Sequence, residues 1–177
     1  MRFWITLMAG FLILPASWGQ QSYLDEFVQK WENASKYTLD IAEAVSEEGY
    51  SFRPTPEQRS FQEQLLHTAS NMIWLSHQYL GYTEEGFDLS TKRQAYKEAE
   101  YNREETIAEL KWALDFAASA IEAFDADQLE EKVEFFAGPM SKRQIFQLLN
   151  DHHTHHRGQL IVYLRLLGET PPRYRGW

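Results

Sequence analysis

Apolar residues recur along most of the chain at steps of three and four, the period of a helix face. Leu24, Phe27, Trp31, Ala34, Ile41 and Val45 keep that period, with Thr38 filling the gap, and predict an amphipathic helix over about 22–46 that Gly49 ends. A second helix is expected from Thr55-Pro56-Glu57-Gln58, with Thr55 as cap, Pro56 at the first helical position and Gln58 completing a capping box. It runs to about Leu80, where Gly81 supplies a stop, and residues 82–91 read as a polar loop. A third helix starts at Asn102, backed by Glu105, and carries Ile107, Leu110, Leu114, Ala117, Ile121 and Phe124 on one face. Lys92–Tyr101 is a candidate backward extension of it. Residues 125–140 are irregular, with Lys132–Phe136 a candidate extended piece and Gly138-Pro139 a turn. The fourth helix has the strongest start: Ser141 caps, Gln144 closes the box, and Met140 can staple onto Ile145. It continues to Leu167, with Gly168 as stop and Pro171-Pro172 beyond. Four long amphipathic helices without a sheet predict an all-α fold, a four-helix bundle, with no internal repeat.

The first residues do not fit this pattern. Met1-Arg2 gives a positive start, Phe3–Leu14 an apolar run, Pro15 a break, and Ser17-Trp18-Gly19 small residues at the −3 and −1 positions of a cut before Gln20. This is the pattern of a cleavable signal peptide over 1–19, leaving residues 20–177 as a single bundle domain. The apolar run is too short to span a bilayer comfortably, so the expected location is a bacterial periplasm or the cell exterior, with no stable membrane anchor after cleavage.

Composition narrows the chemistry. With 17 Lys+Arg against 26 Asp+Glu, a net charge of −9, and no basic cluster beyond Arg173/Arg175, a nucleic-acid partner is not expected. The chain has no cysteine, which excludes disulfides, thiolate metal sites, iron–sulfur clusters and a Cys nucleophile. Any metal site must then be built from imidazoles, with or without carboxylates.

Four of the six histidines fall in Asp151-His152-His153-Thr154-His155-His156-Arg157-Gly158-Gln159 on the fourth helix. On a helical wheel stepping about 100° per residue from His152, Ile145 and Tyr163 lie at about 20°, Leu149 and Leu167 at about 60°, and Leu148 and Leu166 at about −40°. His152, His156 and Gln159 fall within that stripe. His155 lies at its edge, His153 points further out at about 100°, and Arg157 points off it, toward a salt bridge with a neighbouring helix. Gly158, outside the stripe, suggests close packing of a neighbour. The spacing of His152 and His156 lets two imidazole nitrogens meet one ion, as in helical His pairs that hold zinc. A third ligand is needed. His67 and His77 on the second helix are both candidates, and His67 shares a polar row with Ser60, Gln64, Asn71, Trp74 and Gln78. Asp151 and Glu63 are candidates to orient a ligand through its second nitrogen. His155 is a candidate general acid/base, and Asn71, Trp74 and Gln159 are candidate pocket-lining residues.

The segment His152-x-x-x-His156-Arg157-Gly158-Gln159, followed by Leu160–Leu167, Gly168 and Pro171-Pro172, resembles the terminal signature of the DinB/YfiT-like family. Phe61-Gln62-Glu63-Gln64-Leu65-Leu66-His67 resembles that family's helix-two signature. The likeness spans most of residues 22–177 in helix order. It implies a DinB-like four-helix bundle and a metal triad of His67, His152 and His156, preferring His67 over His77. It also implies a divalent metal, Zn²⁺ or Ni²⁺, that lowers the pKa of water at an open fourth position. The activity it implies is metal-dependent hydrolysis or group transfer on a small-molecule substrate; other readings are a thiol transferase of the same family and a non-catalytic exported bundle that binds a metal or small ligand. The resemblance also allows a homodimer.

Overall fold

The computed structural model describes residues 17–98 and 100–176. Most of the leader expected over 1–19 lies outside the described residues, and the expected cut before Gln20 falls in the first turn of a helix. Five helices follow one another: α1 (Ser17–Glu43), α2 (Phe61–Gln78), α3 (Leu89–Glu98), α4 (Arg103–Glu122) and α5 (Lys142–Leu166). Short 3-10 turns occupy Glu48–Ser51 and Ala126–Gln128, and the strands β1 (Lys132–Val133) and β2 (Met140–Ser141) pair antiparallel just before α5. Among the described residues no helix is long and apolar enough to cross a membrane.

α2 packs against α4 and α5, and α1 packs against the same two, so the four long helices close around one core. Trp31, Phe61, Phe116 and Phe146 are its largest fully buried side chains. α3 is short and lies on α2. The chain beyond α5 returns along α1, where Arg175 pairs with Asp40 at 2.9 Å and the Tyr174 ring meets Tyr37 edge-on.

Two helix starts follow the sequence signals closely. Asn102 and Glu105 form a reciprocal capping box on α4, and Ser141 and Gln144 do so on α5. Others need correction. α2 does not begin at Thr55: Ser60 is the cap, its side chain accepting from the Glu63 N–H while Glu63 accepts from the Ser60 N–H. Residues 55–58 form only a turn, Gln58 N–H to Thr55 O, because the Ser60 box places Phe61 in the core against Tyr50 and Tyr163. α1 ends at Glu43 rather than at Gly49. The Arg103 guanidinium donates to the carbonyls of Glu43 and Val45 at 2.8 Å each and thereby closes the helix end. Gly49 lies in the following 3-10 turn, where a Cβ would come within 2.5 Å of Val45 Cγ1. Residues 89–98 are a separate helix, not a loop merging into an extension of α4: Asp88 Oδ1 accepts from Thr91 N–H at its start, and the extended backbone of Asn102 breaks the chain at its end. Of the extended piece expected over Lys132–Phe136, only Lys132–Val133 is a strand.

The wheel of α5 also needs turning. Ile145, Phe146, Leu149, His153, His156, Leu160, Tyr163 and Leu164 are buried, whereas Leu166 is exposed. Phe146, Leu160 and Leu164 widen the buried arc to run from about 20° to about 120°, centred on about 70°. His153 thus lies inside the core and His152 at its rim. His153 is 1% exposed; its Nε2 meets Thr38 Oγ1 of α1 at 2.7 Å, and its ring packs on Trp31. Among the described residues Arg157 forms no salt bridge. Its guanidinium donates to Ala34 O at 3.4 Å and lies over the Tyr37 ring, also on α1. Gly158 is not a packing glycine, since a Cβ there would meet nothing within 4 Å.

Ser60→Ala should cost about 1 kcal/mol of stability through loss of the cap, and Thr55→Ala less than about 0.5 kcal/mol, read from urea unfolding. Equal losses would put the helix start back at Thr55. Gly158→Ala should raise stability by about 0.5–1 kcal/mol, because it removes a helix-interior glycine at no steric cost; a lowered Tm would show an unseen neighbour at that face.

Candidate metal centre

α2 and α5 run antiparallel, which sets the His67 row of one against the His152/His156 turn of the other. The ring centroids lie 5.1 Å apart for His67 and His152, 4.6 Å for His67 and His156, and 4.4 Å for His152 and His156. One nitrogen from each ring can be chosen so that all three lie within 4.8 Å of one another, a triad compatible with a divalent metal. Nitrogens about 2.0–2.1 Å from a common ion would be separated by less than this, so small side-chain adjustments suffice. His77 takes no part. It sits about 15 Å further along α2 at the standard helical rise, with Nδ1 against Tyr82 O at 2.8 Å and its ring on Phe87.

A chain of amides fixes one of these rings. His156 Nδ1–H donates to Gln64 Oε1 at 2.8 Å, and Gln64 Nε2–H donates to Gln159 Oε1 at 2.6 Å. Gln159 Nε2–H in turn donates to His155 Nε2 at 2.7 Å. Because Gln64 Oε1 can only accept, the His156 proton resides on Nδ1 and the Nε2 lone pair is left for an ion. Gln64 is 4% exposed and is the residue that orients a ring of the triad, His156. Neither Asp151 nor Glu63 does so: Asp151 is exposed, and Glu63 is committed to the α2 cap and to Arg53. The sequence placed Gln64 on the His67 row, and that i, i+3 relation to His67 is the signal that could have singled it out. The buried Nδ1 of His152 has no hydrogen-bond partner. An orphaned imidazole nitrogen beside two further rings is what a metal would satisfy, so the residues fit the group the resemblance implies.

Burial keeps the rings neutral. His67 is pushed down from 6.5 to about 4, chiefly by burial and then by the Arg59 and Arg93 guanidinium charges. His152 falls to about 4 and His156 to about 3, again mainly by burial, with the neighbouring imidazoles and Arg59 adding to it. Neutral imidazole is the ligating form, so the triad is ready for a cation at neutral pH.

The other expected site residues are distributed around the triad. His155 is exposed at the rim, its ring 5.0 Å from His156. Asn71 lies one turn beyond His67 with a buried Oδ1 that has no partner. Trp74 faces elsewhere, its ring edge-on to Tyr79 and tilted against Phe135, and lines a cavity of about 730 Å³ between α2 and α3 together with His77, Phe87 and Arg93.

A helical fold with an inter-helix histidine triad compatible with a divalent metal is the kind of bundle that the sequence resembles. The DinB family model matches residues 19–176, and the chain belongs to that family. It is 24% identical over 153 residues to the protein YjoA of Bacillus subtilis strain 168, covering 82% of this chain and 92% of that one. The crystal structure of that DinB-like protein superposes with a TM-score of 0.67 at 22% identity, over 85% of this chain and 97% of the other. A DinB-like protein from Bacillus cereus ATCC 10987 superposes with a TM-score of 0.71 at 20% identity, over 85% and 96%.

The depressed histidine pKa values carry a stability signature. In the metal-free protein His67, His152, His153 and His156 stay neutral down to about 4, 4, 3 and 3, whereas in the unfolded chain they take up protons near 6.5. Between those limits the unfolded state binds more protons, so stability is full above the unfolded value and falls as pH drops toward the folded ones. The Tm of chelator-treated protein should fall steadily from pH 7 to 4.5, with a shallower slope in His67→Ala. A flat profile over that window would mean that the rings are already solvated.

Proposed function

We propose that this protein is a divalent-metal-dependent hydrolase or group transferase acting on a small molecule, with its centre at His67, His152 and His156. The observation that carries the reading is the convergence of three neutral imidazoles from two helices to within 4.8 Å. Three ligands leave a coordination position open, the arrangement of catalytic rather than structural zinc sites. A bound Zn²⁺ or Ni²⁺ would supply Lewis-acid activation of water or of a polarised substrate group.

The chain's own residues do the rest. His67, His152 and His156 hold the ion, and Gln64 keeps His156 in the Nδ1–H tautomer. His155, whose Nε2 accepts from Gln159, is exposed at the rim and is the group placed to move a proton there. Asn71 offers an unsatisfied amide oxygen one turn beyond His67. The reading includes export: removal of residues 1–19 would free the bundle into a periplasm or the cell exterior, where an abundant cytosolic thiol is not at hand, and this favours hydrolysis over thiol transfer.

Untagged protein purified from its native compartment should carry one divalent ion per chain by elemental analysis. His152→Ala should lose it, and Gln64→Leu should weaken it about 10- to 100-fold by leaving His156 Nδ1 without its acceptor. Stoichiometric tight binding retained in His152→Ala would end the assignment. Cleavage of a model ester panel should be abolished by chelator and restored by zinc or nickel, and His155→Gln should lower it at least about 100-fold.

A further inference from the structure

Beside the triad, on the side of the α2 N-terminus, an open groove of about 740 Å³ runs between the segment before α2 and the C-terminal half of α5. Its lining is polar at Gln64 and Gln159, the two amides behind His156 and His155, and apolar at Val162 and Leu166, 51% and 58% exposed, with Tyr163. Val162 and Leu166 are two of the four large hydrophobic side chains exposed among the described residues, and both face the same groove.

Arg59 stands at its edge. Its backbone is pinned, since Tyr163 O–H donates to Arg59 O at 2.9 Å. Its guanidinium makes no hydrogen bond or ion pair among the described residues, although seven other Lys and Arg side chains have carboxylate partners. Glu57, the acid on the same groove, is hydrogen-bonded to Thr55 instead. Arg59 is exposed, and Glu63, a carboxylate on which its charge acts, is committed to the α2 cap and to Arg53. Arg59 is also close enough to the triad for its charge to act on all three rings. Positive charge beside a site for a divalent cation is unfavourable unless an anion comes to rest between them.

We propose that this groove is the substrate subsite of the metal centre, and that it takes a small organic carboxylate with an apolar arm. The carboxylate is held by Arg59 and the arm lies along Val162 and Leu166. A planar guanidinium fork matches a carboxylate bidentately. The volume is in the range of small-ligand sites, and apolar lining with a few polar anchors is their usual division of labour. The inference deepens the metal-centre reading and rests on it for the reaction, but binding at the groove itself needs only this chain.

The test is calorimetric titration of the full exported chain, metal-free and zinc-loaded, with butanoate, hexanoate and octanoate, and with hexylamine as the cationic control. Metal-free wild type should bind the acids, roughly two- to fourfold more tightly per added methylene, and should not bind the amine. Arg59→Gln should weaken hexanoate about tenfold or more with zinc stoichiometry unchanged, Arg59→Lys should recover part of the loss, and Val162→Asn should flatten the chain-length series. Both altered side chains are exposed, and the Tyr163 bond is to the Arg59 backbone, so folding is not at stake. Hexanoate binding that is equal in Arg59→Gln, or that appears only with zinc present, overturns the subsite and leaves the metal centre standing. Arg59-dependent binding in a protein that takes up no zinc retains the carboxylate site and removes the metal reading.

Discussion

The buried amide of Gln64 is the group on which the α2–α5 pairing depends. Its oxygen and its NH₂ must both be satisfied, because an unpaired polar group in that position costs about 1–3 kcal/mol. The oxygen takes the proton of His156 and the NH₂ reaches Gln159, both on α5, while Thr68 holds the Gln64 carbonyl from the next turn of α2. A slip of α5 by one residue would rotate its side chains by about 100° and strand the amide. The register that satisfies Gln64 is the same one that brings His67 against His152 and His156. Helix packing and assembly of the histidine triad are therefore one event.

α5 is held equally firmly from its other side. His153 reaches Thr38 and packs on Trp31, and Arg157 reaches Ala34 O and covers Tyr37, all on α1. Consecutive residues thus face opposite neighbours: His152 toward α2 and His153 toward α1. The run of histidines reads as a cluster only in sequence. In space it divides into a triad, a rim group and a structural residue locked in the core. Rigid support on both flanks is what a preorganised metal site requires, since ligands carried on packed helices lose little freedom on binding.

The bundle was legible because its helices carry redundant signals. Ser141 with Gln144 and Asn102 with Glu105 are reciprocal boxes followed by long apolar periods, and both formed. Where two signals competed, local pattern chose badly. Thr55-Pro56 has the better look of a start than Ser60, but only Ser60 lets Phe61 enter the core beside Tyr163, a contact about a hundred positions distant along the chain. α3 escaped because its anchor, Tyr96, is a single buried side chain whose partner Glu109 lies on another helix. On α5 the spacing of His152 and His156 was readable, but a wheel drawn without Phe146, Leu160 and Leu164 misjudged which way His153 turned. The choice of His67 over His77 was not readable from periodicity at all. It came from the family resemblance, and the physical reason is a loop carbonyl, Tyr82 O, that satisfies His77 far from the other rings.

The chemical character of the site follows from what stands behind its ligands. This chain has an excess of acids, yet among the described residues none joins the triad: Glu63 is spent on a helix cap, Asp151 is exposed, and the group behind His156 is an amide. A carboxylate in that position would draw the Nδ1 proton toward itself and put negative charge on the ring, which raises ligand basicity and softens the ion. A neutral amide fixes the tautomer without doing so. With three neutral imidazoles as donors, a divalent ion would keep its full double charge, facing Arg59 rather than a counter-ion of the protein's own. An ion bound at the proposed centre would thus be strongly electrophilic, with its charge left for an incoming anion to balance.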